Sequence, residues 1–242
     1  MAIKFPEDQT GYPGFIRFTP VDDKGNQDGE MIELYLPAGV LFADKMEYEN
    51  MALGLAGVIG ADNENTATAE NLFSGDVAGL AMQEVIKKAV TGAAAAAIQL
   101  RNKKSPNPNT RALFKQVSLR SFQFNFKLIP TTETEATTIT NIVKEFRTQM
   151  YPELIGGGGE GTSVGYEFPN RYEIETFYKG QADMAPKIYP AYLEAFQASY
   201  NPTGQTIFQK AGGQGYFAET DMNLTFTESR ALTKQDIADL GY

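Results

Sequence analysis

The 242 residues contain no cysteine and no histidine, and each absence removes a class of chemistry. Without cysteine there is no disulfide framework, no thiol nucleophile and no thiolate metal site, so the cytoplasm or an intracellularly assembled particle is the easier setting. Without histidine the commonest general base and the commonest metal ligand are missing, and any enzymatic reading must rely on carboxylates, lysine, tyrosine or hydroxyls. Long apolar runs are missing too. The most hydrophobic window, residues 89–100, is mostly alanine and is interrupted by Thr91, Gly92 and Gln99. That is well below the about 20 strongly apolar residues that span a bilayer, so no membrane partner is expected. Met1 to Asp8 lead into no apolar stretch of signal-peptide length, and export through a cleaved signal is not expected. Basic charge is in short supply: 30 acidic against 21 basic side chains give a net −9, which argues against a protein that binds nucleic acid by neutralising phosphates. The same acidity suits a conduit past which DNA slides, because it repels the phosphate backbone.

What the chain does have is apolar material for a core, with 42% hydrophobic residues, 16 phenylalanines and 12 tyrosines. The most informative stretch is Val117 to Pro130, read as one long strand. Phe122, Phe124, Phe126 and Leu128 fall on one side of it, and Ser121, Gln123, Asn125 and Lys127 on the other. One face is therefore packed and the other wet. A helix to cover the aromatic face follows at once: Thr132 and Glu135 form a capping box, and Ile139, Ile142, Val143 and Phe146 make a stripe at helical spacing.

Upstream, residues 15–21 and 30–36 read as strands joined by a turn rich in aspartate and glycine, Asp22 to Gly29. Residues 38–75 are irregular and read as an extended connection. Ser74 or Asp76 caps a predicted helix in which Met82, Val85, Ile86, Ala89, Val90, Ala93 and Ala97 recur, ending near Leu100. Downstream, a glycine-rich segment, residues 156–161, precedes alternating stretches at 166–178, 193–200 and 221–228. The order predicts a single mainly β domain over residues 1–242. It is an α+β arrangement, an antiparallel sandwich or open barrel with one flanking helix and a helical, irregular insertion at about 38–104.

Four motifs carry possible chemistry, and each has a plainer explanation. Gly156 to Ser163 has the spacing of a phosphate-binding loop but puts Thr162 where the lysine belongs, and no helix follows. Asp22 to Glu30 resembles a calcium loop, yet Lys24 occupies a ligand position. Glu173 and Glu175 lie on one side of a strand, as paired carboxylates of a glycan hydrolase would, but exposed acids are ordinary in an acidic protein. Arg101, Lys103 and Lys104 read as the favourable positive end of a helix. Accordingly no catalytic, cofactor-binding or metal residue is assigned.

Ser105 to Phe114, Leu119 to Pro130 and the helix end Phe146 to Met150 together resemble the tube-to-baseplate junction proteins, or tail tube initiators, of contractile-tailed (T4-like) phages. Shorter similarities fall in the same order: Glu33 to Pro37, Tyr172 to Phe177, Lys187 to Leu193 with Ser199 to Pro202, Asn223 to Glu228, and Leu232 to Ile237. Residues 38–100 are least like that family. The resemblance implies a tail-tube-like fold and a homohexameric ring whose strands join around a channel. It implies a structural virion protein, assembled in the host cytoplasm, that joins the baseplate hub to the tail tube protein or a second junction protein. Phage DNA would pass through the lumen without specific binding. Phe114, Phe122, Phe124, Phe126, Leu128, Ile139, Ile142, Val143 and Phe146 are then the scaffold of assembly, with no cofactor. Two alternatives stay open: a tail tube subunit proper, and a carboxylate-based glycan hydrolase.

Overall fold

The protein is described from a computed structural model, at residues 2–37, 39–52, 110–156, 165–182, 185–209 and 215–242. In chain order the strands are β1 (Ala2–Phe5), β2 (Gly14–Val21), β3 (Met31–Tyr35), β4 (Met46–Ala52), β5 (Thr110–Val117) and β6 (Ser121–Leu128). Helix α1 (Glu133–Met150) follows, then β7 (Glu153–Ile155), β8 (Gly165–Glu167), β9 (Arg171–Tyr178), β10 (Gln181–Ala182), β11 (Ala191–Tyr200), β12 (Ile207–Gln209), β13 (Gly215–Phe217) and β14 (Thr220–Glu228). A short π-helical turn, Asp236–Leu240, ends the chain. The chain divides into two compact units, one of residues 1–45 and 117–242 and one of residues 46–116.

The first unit is built on one mainly antiparallel sheet in the order β1-β3-β2-β9-β11-β14-β6, with β10 paired to β9. Only β1 with β3 is parallel. The predicted hairpin is present: β2 and β3 pair from Phe15 opposite Tyr35 to Phe18 opposite Ile32. Its turn is tied by the Asp22 carboxylate, which accepts from the Lys24 and Asn26 amides at 2.8 Å each. At Gly29, with φ +133°, an added Cβ would lie 2.7 Å from Glu145 Oε1 and 2.8 Å from Pro20 Cγ, so only glycine lets the hairpin lie this close to the helix.

The sheet curls over on itself. Strands β2 and β6 are four places apart in the order, about 19 Å in a flat sheet, yet the rings of Phe18 and Phe124 meet edge-to-face at 5.7 Å. Phe18 also meets Phe146 of α1 at 5.4 Å and Phe226 of β14 at 5.4 Å, and so stands at the centre of the core. Helix α1 contributes Ala136, Ile139, Ile142, Val143 and Phe146 to that core, as its stripe predicts. The capping box forms too: Thr132 Oγ1 accepts from the Glu135 amide at 3.1 Å. Glu135 in turn accepts from the Thr131 amide at 2.7 Å and the Glu7 amide at 3.2 Å, fastening the amino-terminal segment to the helix.

Two expectations are modified. Val117 to Pro130 is not one strand: β5 stops at Val117 and β6 starts at Ser121. The break has a physical cause, because the Ser118 amide donates to the Lys45 carbonyl at 3.1 Å and Arg120 turns inward to a buried partner. The region read as an irregular connection contains β4, which pairs with β5 as a two-stranded ribbon. Strand β1 carries no turn signal or alternation long enough to be read from sequence. The helix predicted to end near Leu100, the cluster Arg101, Lys103 and Lys104, and residues 157–164 of the glycine segment lie outside the described residues.

Candidate functional site

Eight of the nine residues singled out from the sequence are brought together in the core. Phe122, Phe124, Phe126, Leu128, Ile139, Ile142, Val143 and Phe146 are all buried. Phe114 is not among them; it is 53% exposed on β5, with its ring 5.9 Å from that of Tyr48 on β4. The buried eight position a surface and do not form one. That surface is the opposite face of β11, β14 and β6.

Sheet register fixes what the wet face carries. Gln197, Asn223 and Asn125 form one row across the three strands, and Ala195, Thr225 and Gln123 form the next. Neither row contains a charge. Charges stand at the ends of the patch: on one side Lys127 faces Asp221 across the ladder and meets Glu219 at 2.5 Å, and on the other Glu194 bonds Thr227. The Lys127 ammonium and the Thr203 hydroxyl hold the Glu219 carboxyl below its ordinary value.

Strand β6 is also the end of the sheet. The Tyr35 hydroxyl donates to the Lys127 carbonyl at 3.0 Å and accepts from the Lys127 amide at 2.8 Å. Both groups of Lys127 therefore point away from β14, and by the alternation of an antiparallel ladder so do those of Ser121, Gln123 and Asn125. These three have no backbone partner among the described residues. Natural sheets guard such edges with charge, proline or a bulge, and Ser121 to Asn125 has none of them.

The start of β6 is held by an ion pair that the sequence reading did not single out. Arg120 and Glu228, 6% and 1% exposed, form two bonds, Nε to Oε2 at 2.9 Å and Nη2 to Oε1 at 2.6 Å. Arg120 Nη2 also donates to the Lys187 carbonyl at 3.0 Å, and Glu228 Oε1 accepts from the Tyr189 amide at 2.8 Å, so the buried charges are fully engaged. A signal existed: both residues fall on the apolar parity of their strands, in step with Phe122 and Phe226.

The other half of the sheet bears charge on its outer face. Glu33 lies 2.7 Å from Lys4 and 2.8 Å from Arg17, and Arg17 is 3.6 Å from Glu175 and stacks over Phe177. Burial raises the Glu33 carboxyl, and the bonds from Lys4 and Arg17 outweigh it, so the net shift is downward. Glu173 and Glu175 do share a face of β9, but Arg17 engages Glu175. Among the described residues no cluster of acids is arranged to hold a metal ion. No helix there is long and apolar enough to cross a membrane.

No protein-family model matches the chain, and no curated protein matches it significantly.

Proposed function

We propose that this chain is a structural protein of a contractile phage tail, forming a ring that joins the baseplate hub to the tail tube and starts tube polymerisation. The observation that carries this reading is the open, uncharged edge of β6. An eight-residue edge strand with an aromatic underside is a liability in a solitary protein and an asset in one whose edge is paired with another copy. If β6 pairs with a different edge of the next copy, the contact repeats in one direction, and it closes into a ring where the rotation between copies sums to a full turn. The neutral amide and hydroxyl rows beside it, on a chain of net charge −9, give a wall whose end cation, Lys127, is paired with Glu219, which suits DNA that slides without binding. The sequence segments that resemble tail tube initiators add the place in the particle. The work is geometric: one end of the ring matches the hub, and the other presents the template for the first tube ring.

The test is to mix the purified protein with hub and tube subunits and follow tube growth by electron microscopy. Growth only when all three are present supports initiation. Tubes made of this chain alone would make it a tube subunit, and no growth in the full mixture would defeat the reading. Gln123→Pro sharpens the test, because proline at an outward-facing edge amide leaves the β14 ladder intact while blocking an added strand.

A further inference from the structure

A ring joined through β6 needs a different edge to receive it, and β11 supplies one. Strand β11 pairs with β14 from Ala191 to Tyr200, but with β9 only where Ala191 faces Tyr172. Past that point no pair joins β9 to β11, and the flank of β11 turned away from β14 has no strand beside it among the described residues. The remaining terminal edge of the sheet, β1, is four residues long and carries Lys4, two features that guard an edge against pairing.

The ladders fix which groups on that flank are free. A central antiparallel strand bonds its two neighbours with alternate residues. Lys127 points its backbone groups away from β14, so Asp221, Asn223 and Thr225 of β14 turn theirs to β11, toward Ser199, Gln197 and Ala195. The Asn201 amide continues that series by donating to the Glu219 carbonyl at 2.8 Å. The amides and carbonyls of Phe196, Ala198 and Tyr200 are left facing out, and none has a backbone partner among the described residues. Side chains follow opposite parities on the two edges. On β6 the residues with free backbone groups, Ser121, Gln123 and Asn125, belong to the wet face. On β11 they belong to the core face, where the Phe196 ring lies 6.4 Å from that of Phe146. Cover of that face thins along β11, from Leu193 at 6% exposed to Tyr200 at 45%.

We propose that residues 121–125 of β6 in one copy pair in parallel with residues 196–200 of β11 in the next; the pairing rests on the ring in the function proposed above and names the edge that receives β6. Two independent requirements give the same orientation. In an antiparallel joint free residues stand opposite free residues, which would set Gln123 and Asn125 on the apolar side with Phe196. In a parallel joint each free residue bonds the two free residues that flank its opposite number. That sets Gln123 and Asn125 beside Ala195, Gln197 and Ser199, and Phe122 and Phe124 beside Phe196 and Ala198. Symmetry asks for the same. Strands β6 and β11 both run antiparallel to β14, hence in one direction, and rotation about an axis along the strands keeps that direction in every copy. The wet rows of β11, β14 and β6 then continue from copy to copy without a change of face.

Paired cysteines in the otherwise cysteine-free chain test it. Gln123→Cys is combined in turn with Ala195→Cys, Gln197→Cys and Ser199→Cys and, as controls on the other face, with Phe196→Cys and Ala198→Cys. Each chain is oxidised in a mixture with hub and tube subunits and run on denaturing gels. Within one copy β6 and β11 lie two strands apart, about 10 Å, and a disulfide spans no more than about 7 Å between Cα atoms. Any bond formed therefore joins two copies. A ladder of covalent oligomers is expected from at least one of the three same-face pairs, and none above the Gln123→Cys background from the two controls. Asn125→Cys in place of Gln123→Cys repeats the test with a second variant, and thermal melting checks that each chain folds. No ladder from any same-face pair, or one of equal yield from a control, overturns the proposal. Rings seen by electron microscopy without such a ladder defeat this joint and leave the initiator reading standing. A ladder without tube growth keeps the joint and defeats initiation.

Discussion

Tyr35 and Lys127 come from strands five places apart in one sheet, yet the hydroxyl of one satisfies both backbone groups of the other, at 3.0 and 2.8 Å. The contact closes the curl of the sheet at one end of β6, and among the described residues the rest of that edge has no backbone partner. Burial pushes the Tyr35 hydroxyl up, against the bond to Lys127, so it keeps its proton through the neutral range. Tyr35→Phe is expected to cost about 0.5–1.5 kcal/mol and to speed exchange of the Lys127 amide. Both are measured by denaturant titration and NMR hydrogen exchange. Unchanged exchange at Lys127 would mean the hydroxyl does not guard that end.

The Arg120–Glu228 pair is expected to matter more. Arg120→Met leaves Glu228 buried without its cation, and should cost about 3–5 kcal/mol in urea unfolding. Replacing both residues with apolar ones should cost less than the sum of the single changes, because no charge is then left unpaired.

Phe124 and Phe114 separate scaffold from surface. Phe124→Ala empties the centre of the core and should destabilise by about 3–5 kcal/mol. Phe114→Ala, on the exposed ribbon, should stay within about 1 kcal/mol. A comparable loss at both positions would contradict the division.

Acid should loosen the carboxyl-terminal segment. Asp236 accepts from Arg230 at 2.7 and 2.8 Å and from Thr233, first the guanidinium and then the hydroxyl, and this holds its carboxyl far below the ordinary aspartate range. A depressed carboxylate contributes its stability in full above the unfolded value, about 4, and loses it as pH falls further. The Tyr242 ring, 5.5 Å from Tyr189, reports on the segment. Its NMR shifts should move toward free-tyrosine values below about pH 4, and in Asp236→Asn they should already be displaced at neutral pH.

How far the fold was legible follows from period and locality. The β6 alternation, the β2–β3 hairpin, the α1 stripe and its capping box are local patterns, and each appears where the sequence puts it. The centre of the core was harder, because Phe18 acquires its role only when the curl brings β6 over β2. Arg120 and Glu228 were passed over because their partners lie 108 residues apart. That β6 lies at a sheet end is a property of strand order, set by pairings between distant segments that no window of sequence contains.

The most direct measurement is hydrogen exchange at the Gln123 and Asn125 amides, in the free chain and in rings assembled with hub and tube subunits. In the free chain both should exchange quickly, while Phe122 and Phe124, bonded to β14, are slow in both states. On assembly Gln123 and Asn125 should become as slow as their neighbours. Fast exchange at both positions inside an assembled ring would mean that β6 does not join one copy to the next.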